Sequence, residues 1–307
     1  MSENITQHRA GYVAIIGRPN VGKSTLVNAL LEQKIAAVSA KPQTTRRRQL
    51  GILTTPSEQV IFVDTPGLHV PQHKLGDFMN QEAVEALLDA DLILWLLDAS
   101  EPFVREDHLI AERLNTLKKH PPVLMALTKA DLASQETLAQ RQKQAVDLYP
   151  GKDVLFLSAV NKTGLDELLA RIVNHMPVGE PFFSEDTVTD YYERDIAADL
   201  IRQSVLQFIR DEVPHCVAIR IDTYEERGEE GAYIEGTIFV ERDSQKGIII
   251  GKGGEMIKKI GTQARKEIEE MSGRKVFLSL KTKVNKNWRN DPEALKLMGY
   301  NPSTTEE

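Results

Sequence analysis

Only one of the 307 residues is a cysteine. With Cys216 alone no intramolecular disulfide can form, and a reducing compartment is the simple reading. Cys216 lies in the strand-like run His215-Cys216-Val217-Ala218-Ile219, which suits a small buried residue better than a nucleophile. Long apolar runs are also missing. No stretch approaches the roughly 20 apolar residues of a membrane-spanning helix. The polar opening (MSENITQHRAG) holds no signal-peptide core, so secretion is not expected. Peripheral contact with a membrane stays open. Positive charge is outnumbered overall: 38 Lys/Arg against 45 Asp/Glu leave a net charge of -7, which does not by itself suggest nucleic acid. That average conceals a local excess. Ser244 to Asn290 holds 12 Lys/Arg against 4 Asp/Glu, so this stretch carries +8 and leaves -15 for the rest. A basic region inside an acidic protein marks a local binding surface.

What is present fits two domains. The length is too great for one small domain, and 41% hydrophobic residues is ample for buried cores. From 11 to 176, short apolar runs alternate with helical patterns. The strand candidates are YVAII, RQLGILT, QVIFVD, DLILWLLD, PVLMALT and DVLFLS. Helical patterns cover 24–32, about 77–88, 104–118, 134–148 and 164–175. This alternation predicts an α/β domain with a mostly parallel six-stranded sheet. RQLGILT and QVIFVD are only four residues apart, too close for a parallel crossover, so they form a hairpin with one antiparallel edge strand. Pro177, Gly179 and Pro181 break the rhythm. We therefore expect a first domain over 1–178, a linker over 179–192, a second domain over 193–300 and a tail over 301–307. The second domain reads helix (193–211), strand (215–224), strand (232–242), a turn of helix, a glycine loop, helix (255–272), strand (274–283) and a last helix at 292–298. Glu225 to Gly231 reads as an acidic hairpin loop.

The first domain opens on Gly17-Arg18-Pro19-Asn20-Val21-Gly22-Lys23-Ser24, which fits G-x-x-x-x-G-K-[ST]. An apolar strand precedes it, and a helix beginning near Thr25 follows. Glycines let the backbone wrap a triphosphate while N–H groups and a helix N-terminus face the phosphates. Lys23 then reaches the β/γ-phosphates and Ser24 binds Mg²⁺. Three further motifs end strands. In Asp64-Thr65-Pro66-Gly67 the Asp64 carboxylate can hold Mg²⁺ and the Gly67 N–H can sense the γ-phosphate. In Thr128-Lys129-Ala130-Asp131 the Asp131 carboxylate can pair with guanine N1–H and its amine, a donor pair that adenine lacks. The Lys129 stem covers the base face. Ser158-Ala159-Val160 offers a backbone N–H to guanine O6. If Asp131 did not read guanine, an ATPase would be the alternative.

Taken in order, these motifs resemble the translation-factor class of GTPases over about 10–178. The usual base motif of that class is N-K-x-D, and here Thr128 replaces the Asn that ties the base loop to the phosphate loop. Retained guanine selectivity with weaker affinity is expected. The switch segment is Lys41-Pro42-Gln43-Thr44-Thr45-Arg46-Arg47-Arg48. The T-T-R pattern favours Thr45 as the Mg²⁺-binding threonine, with Thr44 second. The arginine run reads as solvated or RNA-facing surface. Leu68 stands where some GTPases carry a water-orienting Gln, so slow intrinsic hydrolysis is expected. His69 and His73 are nearby but read as exposed rather than catalytic. Relatives with an Asn at the Asn20 position use K⁺, and the resemblance implies the same here.

In the basic region, Ile248-Ile249-Ile250-Gly251-Lys252-Gly253-Gly254 precedes a helix with Lys258 and Lys259 in its first turns. A G-x-x-G loop between helices resembles a type II KH domain, which grips about four unpaired nucleotides. On this reading Ile250, Gly251, Lys252, Gly253, Gly254, Lys258 and Lys259 meet RNA. The isoleucines floor the bases, and Lys281, Lys283, Lys286 and Arg289 extend the surface. Trp288 reads as packed rather than base-stacking. A second phosphate loop or a plain turn is the competing reading. A GTPase domain followed by a KH domain, with P-N-V-G-K-S-T, Q-T-T-R, D-T-P-G-L-H and G-K-G-G, resembles the bacterial Era family. That resemblance implies a monomeric GTP/GDP switch that binds small-subunit ribosomal RNA near its 3′ end and assists 30S assembly. It also implies a cytoplasmic place with some peripheral membrane association. The alternative is an RNA-binding assembly or membrane-anchoring factor in which nucleotide is mainly structural.

Overall fold

The first unit is built on a strand buried over its whole length. β4 (Leu92–Asp98, LILWLLD) has all seven residues buried, as a strand covered on both faces requires. In this computed structural model, residues 8–38, 45–68, 70–117, 119–150, 153–209, 213–228 and 231–300 are described. β1 (Arg9–Ile16), β2 (Gln49–Thr54), β3 (Glu58–Asp64), β4, β5 (Val123–Thr128) and β6 (Val154–Phe156) form one sheet in the order β2-β3-β1-β4-β5-β6. Every pairing is parallel except β2 with β3. β2 is thus the antiparallel edge strand that the four-residue connection predicts. Helices α1 (Lys23–Leu31), α2 (Lys74–Leu88), α3 (Arg105–Thr116), α4 (Gln135–Leu148) and α5 (Leu165–His175) connect the strands and follow β6. Each covers the sheet with an apolar stripe; in α5 the buried residues are Leu165, Leu168 and Ile172, at helical spacing. Trp95, fully buried in the core, meets Tyr149 edge-on at 5.9 Å.

This order positions the site. β1 lies between β3 and β4, so successive connections leave it in opposite directions, and ligand crevices open at the carboxyl ends of strands at such a point. Gly17, Asp64, Asp98 and Thr128 stand there, at or just past the ends of β1, β3, β4 and β5.

The chain divides into two compact units. One comprises Met1–Lys34, Thr45–Val70 and Met79–Asp190; the other comprises Ile35–Thr44, Pro71–Phe78 and Tyr191–Glu307. The second unit therefore takes in two short segments of the expected first domain. The segment read as a linker lies along the first unit as far as Asp190. Val188 O accepts from the Ile52 N–H (2.9 Å), and Asp190 Oδ1 from the Leu50 N–H (2.8 Å). Phe182 packs edge-on against Tyr12 at 5.2 Å. Gln59, fully buried, accepts from the Phe182 and Phe183 N–H groups (2.7 and 3.0 Å) and donates to Phe183 O (2.9 Å).

In the second unit α6 (Glu193–Phe208) and α8 (Glu255–Ser272) cover one face of the sheet β7 (Ala218–Glu226), β8 (Ala232–Val240), β9 (Val276–Val284). α7 (Asp243–Ile250) precedes the glycine loop, and α9 (Pro292–Leu297) closes the described chain. β7 and β8 are antiparallel with a bulge between Ile221 and Thr223, and β8 and β9 are parallel. The order α-β-β-α-α-β is the one expected. Two details differ. A 3₁₀ turn, Val213–Cys216, occupies the start of the expected strand, and β7 runs on through Glu226, where Glu225 and Glu226 pair with Tyr233 and Ala232. Cross-strand hydrogen bonds outweigh the local turn signal there, while both carboxylates stay exposed. Trp288 is fully buried: its Nε1 donates to Cys216 O (2.9 Å), and it stacks on Tyr300.

Replacing Gln59 by Leu removes its three part-buried hydrogen bonds to the Phe182 and Phe183 backbone. Urea unfolding should show a loss of about 1–3 kcal/mol, and limited proteolysis should cut faster between 182 and 190. An unchanged midpoint would contradict this account.

Candidate functional site

Lys23 opens α1 from a buried position and donates to Gly17 O and Arg18 O, both at 3.0 Å. Gly17 has φ of 153°, and a Cβ there would meet Leu96 O at 2.6 Å, so the loop admits only glycine. No side chain caps the first turn of α1, whose N-cap is Gly22 in the left-handed region. The first N–H groups of the helix thus face the loop, as an anion site requires. Burial pushes the Lys23 ammonium down to about 8; Asp64 partly opposes this and Arg18 adds to it. Pro19, Asn20, Val21 and Thr25 complete the loop and helix start, Asn20 with a left-handed φ of 64°.

Ser24, Thr45 and Asp64 come together from three separate segments. Ser24 Oγ donates to Asp64 Oδ2 at 2.6 Å and lies 2.9 Å from Thr45 Oγ1, which in turn lies 3.3 Å from Asp64 Oδ2. Three hard oxygen donors, leaving room for water and phosphate oxygens, fit Mg²⁺. Thr65 Oγ1 anchors this turn to Ile15 O (2.7 Å). Gly67 lies against the phosphate loop; a Cβ on it would come within 2.8 Å of Pro19 N. Thr44 and His69 lie outside the described residues. Leu68 packs against the sheet core, so it presents no polar group. His73 stands 3.5 Å from Asn290, within the second unit. Arg46 is buried, unlike the solvated surface expected of the arginine run; it is the residue next to Thr45, which itself faces inward to Asp64.

At the base end, the Thr128 hydroxyl lies 2.6 Å from Val21 O and 3.1 Å from Leu97 O. It ties the base loop to the phosphate loop, the task expected of an Asn here. Asp131 projects to solvent from the short turn Ala130–Leu132. It lines an open cavity of about 460 Å³ with Ser158, Phe156 and Asn161. Ser158 and Thr163 exchange both backbone hydrogen bonds, and Asn161 N–H donates to Ser158 Oγ (3.1 Å). This tight turn presents Ala159 and Val160 at its tip, Val160 78% exposed.

One residue at this edge escaped the sequence reading. Asp98, buried at the end of β4, accepts from Lys129 Nζ (2.6 Å), Arg18 (3.3 Å) and Ser100 Oγ (2.6 Å). Burial opposes its ionisation, but the hydrogen bonds from Lys129 and Ser100 outweigh it and hold the carboxyl below its ordinary value. Arg18 also reaches Glu101 (2.8 Å) and Asp107 (3.6 Å). Asp98 thus joins the lysine of the base motif to the arginine of the phosphate loop. An Asp closing an apolar strand beside two cationic motif residues was the available signal.

In the second unit, Gly251, Gly253 and Gly254 all have positive φ, and a Cβ on Gly251 would lie 2.6 Å from Met256 Cβ. Gly254 leads into α8. A groove of about 290 Å³ runs between α8 and the edge strand β9, lined by Ile257, Lys258, Gly261, Thr262, Leu278 and Leu280 among others. Lys252 is exposed on the loop. The floor is therefore not the Ile248–Ile250 run: Ile249 is buried in the core and Ile250 is half-buried outside the groove lining. Lys259 turns away and lies 4.4 Å over the Phe208 ring. Lys281 is paired with Asp222 (2.9 Å) on the sheet face opposite the helices, and Lys283 alternates onto the same face. There, burial pushes the Asp222 carboxyl up, but bonds from Thr237, Lys281 and Arg220 bring it down to about 2. Arg289 pairs with Glu241 at 2.6 Å.

Among the described residues no helix is long and apolar enough to cross a membrane. Residues 12–129 match a family model described as 50S ribosome-binding GTPase, and 212–289 match a KH domain. A GTPase Era from Leuconostoc citreum is 48% identical over 95% of this chain and 97% of its own length. One from Lacticaseibacillus paracasei is 43% identical over 97% and 98%. The crystal structure of an Era protein with MgGDPNP and nucleotides 1506–1542 of 16S ribosomal RNA aligns with a TM-score of 0.89 at 38% identity, covering 96% of this chain and 99% of that one. An Aquifex aeolicus Era variant bound to GDP and AlF4⁻ aligns equally well, with a TM-score of 0.89 at 38% identity over 95% of this chain and 99% of that one. With its phosphate loop, guanine-type base loop and G-x-x-G groove in that order, the chain belongs to the Era family of GTPases.

Proposed function

We propose that this protein is a GTP-hydrolysing switch that binds small-subunit ribosomal RNA near its 3′ end and assists 30S assembly. The observation that carries the reading is the convergence of Ser24, Thr45 and Asp64 beside Lys23. Thr45 belongs to a segment that can respond to the γ-phosphate, whereas Ser24 and Asp64 sit on fixed elements. Lys23 and the first N–H groups of α1 hold the β/γ-phosphates. Ser24, Thr45 and Asp64 hold Mg²⁺, which supplies charge neutralisation at the transferring phosphoryl group. Gly67 presents its N–H to the γ-phosphate from against Pro19. Asp131 and the Ser158-Ala159-Val160 turn select guanine. When phosphate leaves, Thr45 and Gly67 lose their common partner, and the segments they begin relax.

Leu68 packs on the core and orients no water, so intrinsic turnover is slow. The second reading, nucleotide as a structural element only, loses support from Thr128, whose hydroxyl keeps the tie between base and phosphate loops. RNA enters the groove between α8 and β9, with phosphates at Gly251 to Gly254 and Lys258. The lone buried cysteine accords with a cytoplasmic place; association with the membrane surface rests on family resemblance alone.

Free Lys23 is partly neutral above about pH 8, while phosphate oxygens favour its charged form. GTP binding should therefore take up protons there, and affinity should fall as pH rises above about 8 yet hold between about pH 6 and 7. Titration calorimetry in two buffers of different ionisation heat reads the uptake, and Lys23→Ala should lose GTP binding altogether. Asp131→Asn should shift preference from GTP to xanthosine triphosphate by about 100-fold in competition binding; unchanged preference would favour an ATPase. Lys252→Asp with Lys258→Asp should weaken RNA binding and reduce the log–log salt slope by about 2. Unchanged affinity would move the RNA surface elsewhere.

A further inference from the structure

Beyond the end of the groove, two aromatic rings lie stacked on the outer face of the second sheet. Tyr233 on β8 and Phe277 on β9 face each other at 5.4 Å with planes 10° apart. They are cross-strand partners in the parallel register. The Arg227 guanidinium lies 4.9 Å over the Tyr233 ring. Phe277 is 64% exposed, a costly place for a large apolar ring unless something covers it. A cavity of about 400 Å³ opens beside the pair, lined by Arg227, Tyr233, Phe277, Arg265 and Lys275 among others. The acidic residue in this lining, Glu269, already accepts from the Val276 N–H (3.0 Å). Phe277 and Arg265 also line the groove between α8 and β9, so groove and cavity are continuous.

We propose that Phe277 and Tyr233 form a stacking subsite for one further unpaired base of the RNA strand that the groove holds. Arg227, Arg265 and Lys275 meet the phosphates on either side of it. The proposal rests on the RNA-binding reading of the groove. Three features select this occupant. An aromatic face open to solvent takes a nucleobase of any sequence. The surrounding cations match a phosphate backbone and do not match a basic or neutral peptide. The continuity with the groove sets the cavity one step along the same strand. Lys281 and Lys283, on the same sheet face, do not line the cavity, and Lys281 is held by Asp222.

The test uses the full-length protein and fluorescein-labelled single-stranded RNAs from the 3′-terminal region of 16S ribosomal RNA. One set is about four nucleotides long, the length the groove holds; the other is extended at either end to about seven. Wild type should bind one of the extended RNAs about tenfold more tightly than the short one. Tyr233→Leu with Phe277→Leu keeps apolar bulk at both positions and should bring the ratio of extended to short RNA affinity, both measured on the variant, from about tenfold to about one. Photocrosslinking with 5-iodouridine at the added positions should place adducts on Tyr233 or Phe277. A short RNA that binds while extension adds nothing, a gain that survives the double substitution, or adducts only elsewhere would each overturn the subsite alone. Failure of every RNA to bind wild type would overturn both the subsite and the groove reading.

Discussion

A carboxylate buried at the end of an apolar strand has to find cations, and Asp98 finds two. Lys129 comes from the base motif and Arg18 from the phosphate loop, which follow the non-neighbouring strands β5 and β1. An uncompensated charge at this depth costs several kcal/mol, on the order of what a small domain has to spare. The two loops are therefore constrained together. Thr128 adds a shorter link between the same loops through Val21 O. The guanine end and the phosphate end of the site thus belong to one rigid edge of the sheet. Thr45, by contrast, meets this edge through side-chain oxygens rather than through a strand ladder.

Three buried or half-buried carboxylates are engaged locally: Asp98, Asp107 and Asp222 each meet cations or backbone donors. Of the basic residues in the second unit, several are engaged as well: Lys259 lies on Phe208, Lys281 on Asp222 and Arg289 on Glu241. The cations that line the groove and the cavity beyond it, Arg227, Lys258, Arg265 and Lys275, are fewer than the raw count of Lys and Arg suggests. A charge count locates a binding region. It does not say which side of a strand or helix each charge occupies.

That difference explains how much was legible beforehand. The six strands, the edge hairpin and the α-β-β-α-α-β order follow from apolar periodicity and from connection lengths, which are local properties. Ser24 and Asp64 were legible because each sits in a motif just past a strand end, and Thr45 because the T-T-R pattern resembles that of related GTPases. Asp98 was not, because its role depends on side chains 80 and 31 positions away. The isoleucines before the glycine loop were misplaced as a floor. Their run is helical, so Ile249 turns inward while Ile257 and Leu278, from different elements, make the floor. Alternation along β9 put Lys281 opposite the groove, and only pairing with β8 reveals which face is which.

The stretch 179–192 reads in the sequence as a linker, yet Val188 and Asp190 take hydrogen bonds from the outer side of β2. An edge strand with unoccupied donors and acceptors is a template on which another chain can add a strand. The segment closes that template from within the molecule. A fragment ended at residue 178 would keep every nucleotide motif but bare the rim of its sheet, and such fragments would be inclined to associate edge to edge. The stretch that joins the two halves in sequence thus also keeps copies of the first half from joining one another.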